Sequence, residues 1–219
     1  AAIFDMNSYY AGGDSVVLEN SFVRFRNPKT KDSTAVKKES TSSPSWNFNV
    51  RNILLQNNSA RYDDENIKPQ GGFDLAHFNI NNLQTKASSF IFNGDTTGVN
   101  LNQLAFADSS GFQLDSARAK FLMTQKGIEA KEFFVKTPAT LLRDNFKISY
   151  DSIASITITP QNTLLTARLR SSSIAFDDLY KLFPFLKTSL DPAMFAHKQV
   201  KLNTELRGSM ARVYLPYLQ

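Results

Sequence analysis

The chain has 219 residues, 42% of them apolar and 21% charged, with a formal net charge of +5. That is enough apolar material to fold, so the chain is not a disordered tail. It contains no cysteine, which excludes a disulfide framework and a thiolate metal site. Phe dominates the aromatics, with 18 Phe against 7 Tyr and 1 Trp, and together with many Val, Ile and Thr this favours pleated surface over helix.

Along the chain, the first pattern is an internal repeat. VVLENSFVRFRN (Val16 to Asn27) is echoed by ILLQNNSARYDD (Ile53 to Asp64): Leu18 matches Leu55, Asn20 matches Asn57, Arg24 matches Arg61 and Phe25 matches Tyr62. Each copy reads as two short strands joined by an Asn-containing turn, a hairpin-like unit of the kind that stacks on its neighbours. The basic cluster Arg24, Arg26, Lys29, Lys31, Lys37 and Lys38 reads as part of a solvated loop rather than a nucleic-acid patch. Residues 28–45 are rich in Ser, Thr, Lys and Pro, a composition that predicts a mobile loop.

From Trp46 onward, apolar and polar residues alternate in many short runs, among them Trp46/Phe48/Val50, Phe121/Met123, Phe146/Ile148 and Leu165/Ala167/Leu169. This period of two predicts a sheet with one apolar and one wet face. The phase switches between Val50 and Ile53 and between Leu75 and Phe78, which predicts bulges or strand ends near Arg51–Asn52 and Ala76–His77. Helix signals come late and are short: Phe176 to Lys187, with Asp177 as the expected cap and Pro184 as its end, and a second opening at Asp191-Pro192 and running to about Lys198. The stretch Lys136 to Phe146 fits a helical turn or a strand.

Candidate chemistry is sparse. With two histidines and no nucleophile, phosphate-loop or dinucleotide signature, the chain reads as a non-enzyme without metal or cofactor. His77 reads as a satisfied edge residue, and His197 as a helix-end residue facing free carbonyls. Asp63, Asp64 and Glu65 lack the alternate spacing of a calcium loop and read as a solvated turn. Asn57-Asn58-Ser59 has the form of a glycosylation acceptor, but the Asn reads as serving the backbone.

The segment SGFQLDSARAKFLMTQKGIEAKEFFVKTPATLLRDNFKISYDSI (Ser110 to Ile153) resembles the TamB/AsmA family of envelope proteins. Its Ser-Gly-Phe-Xaa-Leu opening leads through a strand, a turn at Gly127 and a strand ending at Thr137 to a strand closing with Tyr-Asp-Ser. Leu169 to Leu186 resembles the family's strand followed by a short helix, and Glu205 to Leu215 its Gly-containing return strand. The resemblance implies a mainly β fold: an extended, curved, mostly antiparallel sheet forming an open trough, β-taco-like, with one or two short helices near 176–198. Residues 1–219 would then be one segment of a larger repeat-built β domain.

The same resemblance implies a non-catalytic lipid conduit that supports phospholipid transport between inner and outer membrane. It would act in the periplasm of a Gram-negative bacterium, with the full-length protein anchored in the inner membrane. Phospholipid acyl chains are the expected partner. An outer-membrane barrel protein would engage through parts of the full-length protein outside this sequence, and no nucleic acid is expected. Alternation nominates Phe112, Leu114, Phe121, Met123, Phe146, Ile148, Ile156, Ile158, Leu165 and Leu169 as the groove lining, with Lys120, Lys147, Ser149, Thr157 and Arg168 facing outward. The alternatives are a module assisting outer-membrane protein insertion or secretion, and a surface glycan-binding β domain.

Overall fold

The structure, a computed structural model, describes residues 2–29, 46–152, 160–209 and 212–214. Among the described residues the alternation is realised as twelve strands in one sheet. They are β1 (Ala2–Asp5), β2 (Tyr10–Glu19), β3 (Phe22–Asn27), β4 (Asn47–Asp64), β5 (His77–Phe92) and β6 (Thr97–Asp108), followed by β7 (Gln113–Thr124), β8 (Gly127–Lys136), β9 (Leu141–Ser149), β10 (Leu164–Ala175), β11 (Gln199–Ser209) and β12 (Arg212–Tyr214). Eleven strands follow one another in the order β1-β2-β4-β5-β6-β7-β8-β9-β10-β11-β12, and β3 lies beside β4 next to β2. The path does not close on itself, so the sheet is open, and among the described residues every pairing is antiparallel except those of β2 and β3 with β4.

Those two exceptions correct the hairpin reading of the repeat. The copies do not fold back on themselves; they lie side by side. Val16 partners Ile53, Leu18 partners Leu55, Arg24 partners Arg61 and Phe25 partners Tyr62, so each residue sits beside its own counterpart. At the centre, Asn20 and Asn57 both take left-handed backbone conformations (φ 49° and 51°), and the Asn57 Nδ2 donates to the Asn20 Oδ1 at 2.6 Å. Asn tolerates this region better than other residues with a side chain, which is why it recurs there. Asn58 sets the break between β2 and β3: its Oδ1 accepts from the Ser21 amide and its Nδ2 donates to the Leu18 carbonyl. Asn57 thus supplies the left-handed backbone position and Asn58 the hydrogen bonds to main chain, in a strand break rather than a turn.

Left-handed residues also interrupt four of the later strands: Asn82 and Ser89 in β5, Glu132 in β8, Asp144 in β9 (φ 114°) and Ser171 in β10. Register shifts accompany them, between Asn81 and Gln84, Ala130 and Phe133, and Leu169 and Ser172. Bulges bend a strand and increase its twist. Lined up across neighbouring strands, they crease the sheet.

The expected strand boundary at Ala76–His77 is present, since β5 starts at His77. Near Arg51–Asn52, β4 continues as a strand, but Arg51 is skipped in the pairing to both β2 and β5, opposite the left-handed Ser89, and the register between β5 and β6 shifts there between Ser88 and Ile91. Arg24 and Arg26 lie in β3 rather than in a loop. Lys136 to Phe146 resolves into a tight turn, closed by the Thr137 amide on the Thr140 carbonyl, and the start of β9. In the loop expected over 28–45, Pro28 and Lys29 are tied to Asn66 and Glu65; the rest of it lies outside the described residues.

After β10 come three short helices: α1 (Phe176–Leu182), α2 (Leu186–Ser189) and α3 (Pro192–Phe195). The N-cap of α1 is Ala175, without a side-chain bond; Asp177, the expected cap, instead accepts from the backbone amide and the ring Nδ1 of His197. Asp191 caps α3 as its sequence predicts, accepting from the Ala193 amide at 2.9 Å. The helix is only one turn long and ends before Lys198.

The buried centre is Phe112, Leu114 and Ala117, covered by Phe73, Leu104, Phe106, Val135 and Leu182. Phe73 brings the loop between β4 and β5 into it, with ring centroids 5.2 Å from Phe112 and 5.8 Å from Phe106. The Phe73 amide donates to the Lys181 carbonyl at 2.7 Å, and a Cβ on Gly72 (φ 84°) would meet that same oxygen at 2.2 Å. Gly72 is what lets the loop lie against α1.

Candidate functional site: the open apolar face

Residues partnered across neighbouring strands share a face, so the register can be followed across the whole sheet. One such row passes through Phe4, Ala11, Phe48, Phe92, Thr97, Met123, Ile128, Ile148, Leu165 and Gly208, one residue from each of ten strands. None of the ten is buried, and Phe4 and Phe48 are 68% and 40% exposed. Aromatic rings extend one end of it: Phe4 stacks on Trp46 at 5.2 Å, Trp46 on Phe48 at 6.0 Å, and Phe48 lies 6.0 Å from Phe92. At about 4.8 Å per strand the row is about 43 Å long.

A second row runs beside the first: Val99, Phe121, Ala130, Phe146, Ala167 and Leu206. Here small and large residues alternate, and the alanines are buried between the half-buried phenylalanines. Across the crease a third row, Leu18, Leu55, Thr85, Leu104, Ala117, Val135 and Leu142, leads into the covered core. The apolar face is thus covered on one side of the crease and open on the other.

The candidate lining residues divide along that line. Phe121, Met123, Phe146, Ile148 and Leu165 stand in the two open rows. Phe112 and Leu114 lie in the core under Phe73 and Leu182, at 6% and 7% exposure. Leu169 is also buried, partnered by Asp144 and Thr204. Ile156 and Ile158, and with them Thr157, lie outside the described residues. Alternation alone missed Phe4, Phe92 and Ile128, because a row is visible only once strand register is known.

The opposite face is laced with charge. Arg168 donates from Nε and Nη2 to the two oxygens of Asp144 at 2.8 and 2.9 Å, Lys131 pairs with Glu129 at 3.2 Å, Arg207 with Glu205 at 3.2 Å, and Lys120 with Glu132. The hydrogen bonds and charge of Asp144 push the already high Arg168 pKa further up. Of these groups, Glu129, Lys131, Glu132, Arg168, Glu205 and Arg207 line a shallow depression of about 480 Å³ with Lys147 and Thr166. Further along the same face, Ile91 and Leu122 close over Gly98, so it is not wholly polar.

Each histidine is hydrogen-bonded to an aspartate. The His77 Nδ1 lies 3.0 Å from Asp74 and its Nε2 2.8 Å from the Asp64 carbonyl, so both nitrogens are spent on holding the loop. Burial raises the Asp74 pKa, but amide bonds from Gln70 and Ala76 and contact with His77 outweigh it, holding the carboxyl below the usual range. His197 sits on Asp177 rather than on helix-end carbonyls. Asp63 is held by Arg61 and Arg24, Asp64 accepts from Asn66 and Asn27, and Glu65 pairs with Arg26, so the acidic run ties β3 to β4. No group of three metal-ligating side chains occurs among the described residues, and none of their helices is long and apolar enough to cross a membrane. No protein-family model, curated protein or solved structure matches the chain.

Proposed function

We propose that the chain is a non-catalytic lipid-holding segment, whose open apolar rows receive acyl chains while head groups stay in water at the rim. The observation that carries this reading is the unbroken row from Phe4 to Leu165, apolar at all positions but Thr97 and part-exposed on every strand it crosses. A monomeric soluble domain rarely leaves a contiguous apolar surface of that length uncovered. Each methylene that leaves water gains about 0.8 kcal/mol, so two acyl chains are held without a specific polar pocket. The row is also longer than the roughly 15 Å depth of one bilayer leaflet's hydrocarbon, giving room for more than one lipid in succession. Together with the resemblance, this supports a role in moving phospholipid between the inner and outer membranes of a Gram-negative envelope.

Photo-crosslinking tests it. A photoreactive residue at Met123 or Ile148 is expected to capture phospholipid that co-purifies with the chain, while one at Lys147 or Thr166, on the other face, captures none. Equal labelling of both faces, or lipid-free protein in repeated preparations, would overturn the proposal. Capture of glycan on the charged face alone would replace it with the glycan-binding alternative.

A further inference from the structure

The in-register pairing of β3 and β2 with β4 points to a second use of the same edge. Among the described residues, β1 pairs only with Tyr10–Gly13, and no strand lies beyond Ser15–Asn27. That edge is apolar and, among the described residues, uncovered: Val17 is 54% exposed, and Phe22 and Phe25 are each 63% exposed. Long uncovered edges of this kind invite a further strand. We propose that it accepts a parallel strand carrying the same pattern as β4, with alternating apolar residues, Asn at the break and an acidic end.

Three observations select that occupant. The left-handed break at Asn20 matches only a strand with a break at the same place, and in β4 that place is Asn57, thirty-seven positions on. The Asn57 amide nitrogen donates to the Asn20 oxygen, which leaves the Asn20 nitrogen for an acceptor beyond the edge; no described residue takes it. A third Asn at the same level would continue the ladder. Finally, beyond the arginine that the copies share at Arg24 and Arg61, their ends carry opposite charges. The outer strand brings Arg24, Arg26 and Lys29, the inner one Asp63, Asp64 and Glu65, and Arg24 reaches Asp63 at 3.5 Å while Arg26 pairs with Glu65. An acid-ended strand arriving from outside would find the same basic row from its other side. Each strand so added would lengthen the sheet by about 4.8 Å.

A labelled peptide of residues 53–65, added to the whole chain, tests this. The absence of native cysteine lets Ser15→Cys and Lys29→Cys each carry a single dye. The peptide is expected to bind saturably, and a quencher on its N-terminus should dim the Ser15→Cys dye more than the Lys29→Cys dye, with the order reversed for a C-terminal quencher. Replacing its Asp63, Asp64 and Glu65 by Lys should weaken binding at least roughly tenfold, and an order-reversed peptide should not bind. No saturable binding at about 1 mM peptide, an antiparallel quenching pattern, or equal binding of the charge-reversed peptide would each overturn the proposal. So would a dimer of the chain that forms through this edge and that the peptide does not displace.

Discussion

Single residues decide where the strands bend and how the two faces differ. Asn57, at φ 51°, occupies a conformation that costs most residues about 1–2 kcal/mol. Asn57→Val should therefore destabilise the chain by at least that amount, while Asn57→Gly should cost little; denaturant midpoints for the two variants check it. On the charged face, sequence alternation implies that outward residues are interchangeable, and the structure separates them. Lys147→Gln should change stability by no more than about 0.5 kcal/mol. Arg168→Gln breaks the paired bonds to Asp144 and should lower Tm further, with the difference shrinking in high salt because the pair is partly exposed. The depressed pKa of Asp74 has a defined sign. Its contribution is complete above the ordinary aspartate pKa of about 4 and is lost as pH falls through its lower folded value. The amides of Gln70 and Ala76 should keep their hydrogen-exchange protection from pH 7 down to that range and lose it below; loss well above that range would show that the Asp74 carboxylate is not what holds them.

At the scale of elements, parallel pairing makes a demand that hairpins do not. β3 ends beside Asp64 and β4 begins beside Tyr10, at opposite ends of an eighteen-residue strand. Such a strand measures about 59 Å if straight, and less when creased. The nineteen residues between them, 28–46, reach about 65 Å at most. Composition alone makes this stretch look dispensable, whereas the topology makes its length a requirement. Deleting ten residues from 30–45 should abolish exchange protection across Ser59–Asp64 and lower Tm; unchanged protection would show that the strand ends lie much closer than its length implies. The loop before β5 and α1 act together on the covered side. Leu114→Ala should cost about 2–5 kcal/mol because Phe73 and Leu182 hold a cavity open above it. Met123→Ala, in an open row, should cost much less, and equilibrium unfolding of the pair separates a covered wall from an open one.

For the whole molecule, the open sheet places a buried and an exposed apolar wall on one continuous face, and the two walls should answer differently to charge. Ile148→Asp stays in contact with water and should leave the fold standing while removing bound lipid; Leu114→Asp places a carboxylate in the core and should unfold the chain. Thermal melts and lipid analysis of both variants distinguish an open groove from a sealed sandwich, in which both would unfold. The sequence by itself determined the mainly β class and the alternation that separates apolar Phe121 and Ile148 from charged Lys120 and Lys147. It also determined the late, short helices and the kinship of the two Asn-centred copies, because period-two patterning, proline and capping residues act within a few neighbours. Only the tertiary structure decided that the copies pair with each other in parallel, since alternation is the same in either strand direction and the choice of partner rests on contacts thirty-seven residues apart. It likewise decided that Phe112 and Leu114 are covered while Met123 and Ile148 are open, because the cover comes from Phe73 and Leu182, far away along the chain and brought over the sheet only by its fold.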